Sequence, residues 1–330
     1  MAQIANTYLT TNAIGNREEL SDIVDRITPE ETEIYTAIKG GSVKTTHPEW
    51  EIDTIRAPAA NAQLEGDEYS FNAITPPARV GNYTQIFRES WILSGSQEKN
   101  DNAGNVEKST EAKIKAGIAA RKDVEFSIVS NNPSVAGSTR MSGSLPTWTT
   151  SNVSRGGSGA NGGFNTGTKL TVAETTGTLR AYTKAQTDAV MQLVYTSGGT
   201  VNWVSLSPYN KSVFVTFMSD TNVAAFRYSV DNKGKNTIVG TADIYEGPYG
   251  KVSIVPNRVQ AASAAVARRA FFLDNDKLSW DWMRPLREDP GLAKTGDNVK
   301  GVIIGEGCLR VKNEAGLGVI ADIFGLSAST

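Results

Sequence analysis

Few residues of this chain have the types and spacing that acid–base or nucleophilic chemistry requires. It contains a single histidine, His47, and a single cysteine, Cys308. A histidine base would have to be His47, which precedes Pro48 in a Thr-rich stretch with no orienting acid or nucleophile marked out for it. Cys308 would need a base beside it to act as a nucleophile. It lies in an apolar run and reads as core. An intramolecular disulfide and a multi-Cys/His zinc site are both excluded. Gly157-x-Gly159-x-x-Gly162 fits the dinucleotide pattern, but phosphate binding there needs a strand before the turn and a helix N-terminus after it. GGFNTGTK at 162–169 is a poor phosphate loop, because Thr168 stands where lysine should follow the last glycine. Asp274, Asn275 and Asp276 offer oxygens to a hard cation, yet Asx residues in such a run more commonly build a turn. Sequons at Asn82, Asn152 and Asn210 mean little without secretion. Trp280 and Trp282 share strand parity and read as one packed face. The expectation is therefore no catalytic residue, no cofactor, no metal and no enzyme.

The composition narrows the class further. At roughly 150 residues per domain, 330 residues suggest about two domains. Hydrophobic residues make up 39% of the chain, enough for a globular protein with a lean core. Glycine, at 31 residues, is in surplus. Thirty-three basic residues nearly cancel 35 acidic ones, which excludes an electrostatic nucleic-acid binder as a whole-chain description. The charge is uneven, however. Residues 1–60 carry five basic and ten acidic residues, a net of −5, and residues 251–315 carry eleven and eight, a net of +3. That pattern suits either a solvated acidic helix or docking of the acidic start onto a basic surface of a neighbouring subunit. Neither a secretory signal pattern nor an apolar run of membrane-spanning length is present. The chain is expected to be soluble and to stay in a reducing cytoplasm.

The elements that would position any site follow from periodicity. Residues 1–14 read as an extended arm. Leu20, Ile23, Val24 and Ile27 give a short amphipathic helix. A second is expected from Pro29, behind Thr28, to Lys39, ended by Gly40-Gly41. Residues 43–53 and 78–93 read as the two strands of a long hairpin, with a Pro/Ala/Asn-rich tip between them. Neither face of these strands is cleanly apolar, so they need a second surface to lie on. The clearest helix is 105–130, with Ile114, Ile118, Val124 and Ile128 at helical spacing and Asn102 or Asn105 as cap. The Gly-rich residues 134–170 read as a loop or surface insertion. Thr183 and Gln186 form a capping box for a helix stopped by Gly198-Gly199. A strand VNWVSLS, a helix opened by Pro208 and a hairpin around Pro248-Tyr249 follow. The last third is strands: RAFFLD, LSWDWMRPL, KGVIIGEGCLRVKN and GVIADIFG.

A loose arm, an over-long hairpin and a long helix reach outward, and this favours an interaction or assembly protein. The order of these features resembles the major capsid proteins of tailed bacteriophages with the Hong Kong 97-type (Johnson) fold. The resemblance rests on TTHPEWEID (45–53), NYTQIF (82–87) with SGS (94–96), the helix ending RKDVEFSI and VSIVPNR (252–258). It rests also on WMRPL (282–286) and the stretch LAKTGDNVKGVIIGEGCLRVKNEAGLGVI (292–320). Together these span most of the chain.

The resemblance implies an α+β, Hong Kong 97-like capsid fold. Residues 1–40 would be an N-terminal arm, and 41–95 an extended loop hairpin lying over a neighbouring subunit. Residues 96–182 would be the first part of a peripheral domain, with spine helix 105–130. Residues 183–275 would form an axial domain, and 276–330 would return to the peripheral domain. Pentamers and hexamers of the chain would build an icosahedral shell around double-stranded DNA, touched without base readout. A separate scaffolding protein and a portal would be further partners, the virion the final location and the host bacterial cytoplasm the place of assembly. His47, Trp50, Arg79, Asn82, Gln85 and Arg88, on and beside the hairpin, are the candidate intersubunit contacts. A secreted β-rich adhesin or binding module and a tail-tube subunit are the alternatives. A nucleotide-using enzyme would rest on the weak glycine pattern alone.

Overall fold

The computed structural model describes residues 27–69, 71–100, 107–217, 228–230, 236–238 and 243–328. Two sheets and one long helix organise them. A four-stranded sheet has the order Lys39–Ser42, Leu278–Glu288, Asn298–Val311, Gln85–Ser94. Its first pair is parallel and the others antiparallel. A six-stranded sheet runs Ile244–Gly247, Gly250–Pro256, Trp203–Leu206, Ala270–Leu273, Gly318–Ile320, Val153–Ser154. The helices Lys184–Thr196 and Pro208–Thr216 flank it.

The long helix runs Lys108–Val129, 22 residues and about 33 Å. Ala116, Ala120, Val124 and Ile128 recur every four residues and form its buried stripe. That stripe packs on the strands Gln85–Ser94 and Asn298–Val311. The two small alanines let helix and sheet approach closely. Ser130 is already extended, and Pro133 disfavours helix at the residue before it. Glu107 takes the N-cap position. The proposed caps Asn102 and Asn105 lie outside the described residues, as do Leu20, Ile23 and Val24 of the first expected helix; its fourth apolar position, Ile27, is described, exposed and outside any helix.

Several readings need correction. The helix expected from Pro29 to Lys39 is only Glu33–Ala37, behind Thr32, and Lys39–Ser42 is instead a strand. Ile38 is already extended, and a Cβ on Gly41 would fall 2.2 Å from Asp281 Oδ1 of the neighbouring strand. The pair Gly40-Gly41 therefore permits strand pairing rather than ending a helix. The long hairpin is shorter than expected. Glu49–Ile52 and Ala78–Gly81 pair at four positions only. Gln85–Ser94 leaves that ladder and pairs with Asn298–Val311 at ten positions. A glycine in the partner strand fits this pairing: Gly301 sits opposite Trp91, whose ring an added Cβ would meet at 2.4 Å. On the other side of the same strand, a Cβ on Gly307 would meet Trp280 of Leu278–Glu288 at 2.7 Å.

The Gly-rich segment is not a surface insertion throughout: residues 142–149 are buried, while 135–139 and 165–168 are exposed. Its short helix Leu145–Trp148 is wholly buried. Trp148 stacks on Phe164 at 5.5 Å and lies 5.5 Å from Trp50. A Cβ on Gly156 would fall 2.0 Å from the Thr178 carbonyl, and one on Gly162 would fall 2.6 Å from the Pro146 carbonyl. These glycines let backbone pack on backbone, which accounts for part of the surplus. Farther on, GVIADIFG divides into Gly318–Ile320 and Ile323–Gly325, because Asp322 turns the chain at φ 60°. The capping box at Thr183 and Gln186, the helix opened by Pro208 and the hairpin around Pro248-Tyr249 all form as read.

Candidate assembly surface

Residues 53–77 follow the first strand of the four-pair ladder, and the described ones, 53–69 and 71–77, form no helix or strand. Their one turn is Leu64–Asp67, closed by the Asp67 N–H donating to the Leu64 carbonyl, with Gly66 at φ +80°. The loop's other hydrogen bonds are equally local, as between Gln63 and Asn61 or Glu68 and Asp67. Its large apolar side chains face solvent: Ile55 is 97% exposed, Phe71 92% and Ile74 94%, with Leu64 and Tyr69 close behind. An isolated apolar residue at a surface is ordinary, but five along one irregular loop leave a surface with no cover among the described residues.

The base of the loop is rigid by contrast. Asn82 is fully buried. Its amide donates to the carbonyls of Leu309 and Gly143 and to Ser142 Oγ, while its Oδ1 accepts from the Gly143 N–H. Trp50 is buried as well, with Nε1 donating to the Val311 carbonyl at 2.9 Å and the Arg310 guanidinium 5.2 Å from its ring. These two candidates for intersubunit contact are thus corrected to internal anchors, because their polar atoms are already satisfied within the chain. Gln85 accepts from the Ser142 N–H and is half-buried. His47 is half-buried against Tyr83, with ring centres 4.2 Å apart and Nδ1 3.7 Å from Glu49. Arg79 and Arg88 are exposed, Arg79 within 3.4 Å of Glu49.

Two buried carboxylates escaped the sequence reading. Glu306 accepts from Thr84 Oγ1 and Arg140 at 2.7 Å and from Arg284 at 2.9 Å. Burial opposes its charge, but those hydrogen bonds outweigh burial and hold the carboxyl below its usual range. Glu125, on the long helix, accepts from the backbone N–H groups of Ile34 and Tyr35 and from the Asn257 amide. Burial nevertheless pushes its carboxyl above the usual range. The signal available in the sequence was a glutamate between Val124 and Phe126, within one turn of Ile128 and Val129.

The residues singled out for chemistry are structural. Cys308 is fully buried, and burial pushes its thiol up to about 12. Asp274 accepts from the Asp276 N–H in an Asx turn, and Asp276 pairs with Lys39 at 2.6 Å. Among the described residues no group of His, Cys, Asp and Glu could hold a metal ion. All three sequon asparagines are buried. Trp280 and Trp282 pack together at 5.6 Å. No described helix is long and apolar enough to cross a membrane.

The described residues form a mixed helix-and-sheet body with a rigidly anchored, exposed apolar loop, and the residues singled out for chemistry serve structure. The chain belongs to the SU10 major capsid protein family, whose model matches residues 3–324. It is accordingly a structural capsid protein of a tailed phage and a component of the virion, not an enzyme. Solved structures share the fold at low identity. The capsid of the cyanophage A-1(L) asymmetric unit is 13% identical, with 96% of this chain and 98% of that chain covered and a TM-score of 0.66. A Gordonia phage Cozz structure is 13% identical, with 98% and 97% covered and a TM-score of 0.60. The capsid of a native GTA particle, computed with C5 symmetry, is 14% identical, with 96% and 98% covered and a TM-score of 0.58. No curated protein matches the sequence.

Proposed function

We propose that the chain assembles through pentamers and hexamers into an icosahedral shell enclosing double-stranded phage DNA. The observation that carries this reading is the loop 53–77, whose large apolar residues are exposed, with no partner surface among the described residues. Rings need head-to-tail contacts between unlike patches, and a loop anchored at its base and reaching over a neighbour supplies one. In this reading residues 1–40 are the arm, 41–95 the extended loop and 105–130 the spine helix. Residues 183–275 form the axial domain and 276–330 the return to the peripheral domain. Arg79 and Arg88 remain as contacts to neighbours, with His47 and Gln85 beside them. The near-neutral charge suits a wall that touches DNA without base readout. A separate scaffolding protein and a portal complete the assembly, which takes place in the host cytoplasm.

Deletion of residues 56–77 tests this. The shortened subunit should fold, with the circular dichroism spectrum of the full chain, yet form no shells in sedimentation or electron microscopy. Normal shells from the shortened chain would refute the role given to the loop.

A further inference from the structure

We infer that the small cavity lined by Thr176, Ala265, Arg268, Arg269 and Asp322 is a binding site for one phosphate-class anion. The cavity measures about 40 Å³. A single water needs roughly 10–15 Å³ of such space, which leaves room for a tetrahedral oxyanion. Stretches far apart in sequence meet at its wall. Thr176 follows the Gly-rich segment, and Ala265 belongs to the short helix Ala264–Ala267. Arg268 and Arg269 lead into the strand Ala270–Leu273, and Asp322 is the turn before Ile323–Gly325.

The charge around the cavity does not cancel. Arg155 and Arg269 both pair with Glu174, and Arg155 Nη1 lies 3.8 Å from Asp322. These four side chains are buried and balance two against two. Asp322 also accepts from the Gly156 N–H, so the one acid of the cavity wall is already matched. Arg180 and Arg268 are in excess. The Arg180 guanidinium donates to neutral oxygens, Ser154 Oγ and the Ala321 carbonyl. Burial pulls its pKa below the ordinary value; Asp322 opposes this and the Arg155 charge adds to it. Arg268 is half-buried, lies 5.8 Å from the centre of the Phe324 ring and meets no carboxylate among the described residues.

Charge removed from water is costly unless it is paired. Four guanidiniums against two carboxylates leave an excess of two positive charges at this junction. Chloride or a single carboxylate supplies one negative charge. A phosphate group supplies about 1.5 to 2 near neutral pH, with oxygens that match the planar N–H fork of arginine. Arg268 at the cavity wall offers that fork, Arg269 adds charge beside it, and Arg180 contributes at longer range. The bound anion would brace the chain after the Gly-rich segment against the C-terminal strand. Free inorganic phosphate and the backbone phosphate of a nucleic acid present the same oxygens.

Titration of the full chain with inorganic phosphate at constant ionic strength tests the site. Millimolar phosphate should raise the melting temperature, because it binds the folded state alone, and calorimetry should saturate at one phosphate per chain. Chloride at the same ionic strength should do neither. Arg268→Gln should weaken phosphate binding roughly tenfold or more. Arg268→Lys keeps the charge but not the fork and should fall between the two. Ala265→Glu sets a carboxylate at the cavity wall and should abolish the response to phosphate while keeping the circular dichroism spectrum of the wild type. A short DNA duplex without terminal phosphates separates the two sources. If it displaces bound phosphate, the site takes a backbone phosphate; if phosphate stays bound, the site takes the free anion. A rise in melting temperature that is equal in the wild type, Arg268→Gln and Ala265→Glu would be a general salt effect and would overturn the site. Calorimetry of the wild type with no saturable heat would overturn it as well.

Discussion

Glu125 sits where three stretches distant in sequence meet: the chain at Ile34 and Tyr35, the long helix, and Asn257 beyond the strand Gly250–Pro256. Every partner there is a donor, so the site favours a carboxylate, while burial favours the neutral acid and prevails. A carboxyl with a raised folded-state pKa holds its proton more tightly in the folded chain than in the unfolded one. Its contribution to stability is then fully present below the unfolded value, near 4.5, and is lost as pH rises through the folded one. The stability advantage of the wild type over Glu125→Gln should therefore shrink as pH rises above about 4.5 in urea denaturation. A pH-independent difference, or one that grows with pH, would contradict this. At the same scale lies the lesson of Asn82 and Trp50. Both sit next to the hairpin in sequence, but nothing in their local pattern reveals that carbonyls of Leu309 and Val311, more than 200 residues away, receive their N–H groups.

Among the elements, the strand Gln85–Ser94 decides the most. Its alternation was legible, yet its partner was not, because either neighbouring run offered strand propensity. In the ten-position pairing with Asn298–Val311 the Trp91 ring lies over Gly301, where a side chain would not fit. Gly301→Val should drive a branched side chain into the Trp91 ring and destabilise the fold by about 1–3 kcal/mol in chemical denaturation. A neutral effect would mean that the ring moves aside without cost. The helices were easier to read. The helix after Thr183 announces itself through reciprocal hydrogen bonds between residues three apart, and the helix after Ser207 through Pro208. Such signals are local and do not depend on tertiary partners. The expected helix from Pro29 shortened because the tertiary gain of a parallel pairing with Leu278–Glu288 overrode local propensity at Lys39–Ser42.

For the whole molecule, the uncovered loop is the dominant feature. A segment held only by local hydrogen bonds, with side chains in water, is open to proteases in the free subunit. Limited proteolysis of unassembled subunits should cut first within residues 53–77, and the same segment should be protected in assembled shells, read by mass spectrometry of the fragments. Equal cleavage in both states would mean that the loop stays uncovered after assembly. The lean composition fits this picture. A chain that completes its burial on neighbours need not bury everything at home, and its marginal elements are stabilised by association.

By itself the sequence determined the absence of a disulfide or a multi-Cys/His metal site, because one cysteine and one histidine cannot build them. It determined most helices and strands of the last two thirds, because caps, breakers and alternation act over a few residues. Through the order of its motifs it also indicated the capsid family. Tertiary structure alone decided which strand pairs with which, that residues 142–149 of the Gly-rich segment are buried in the core, and which of the hairpin's polar residues face inward. Those outcomes depend on contacts between positions far apart in the chain, and on whether a backbone can approach another closely enough that only glycine fits.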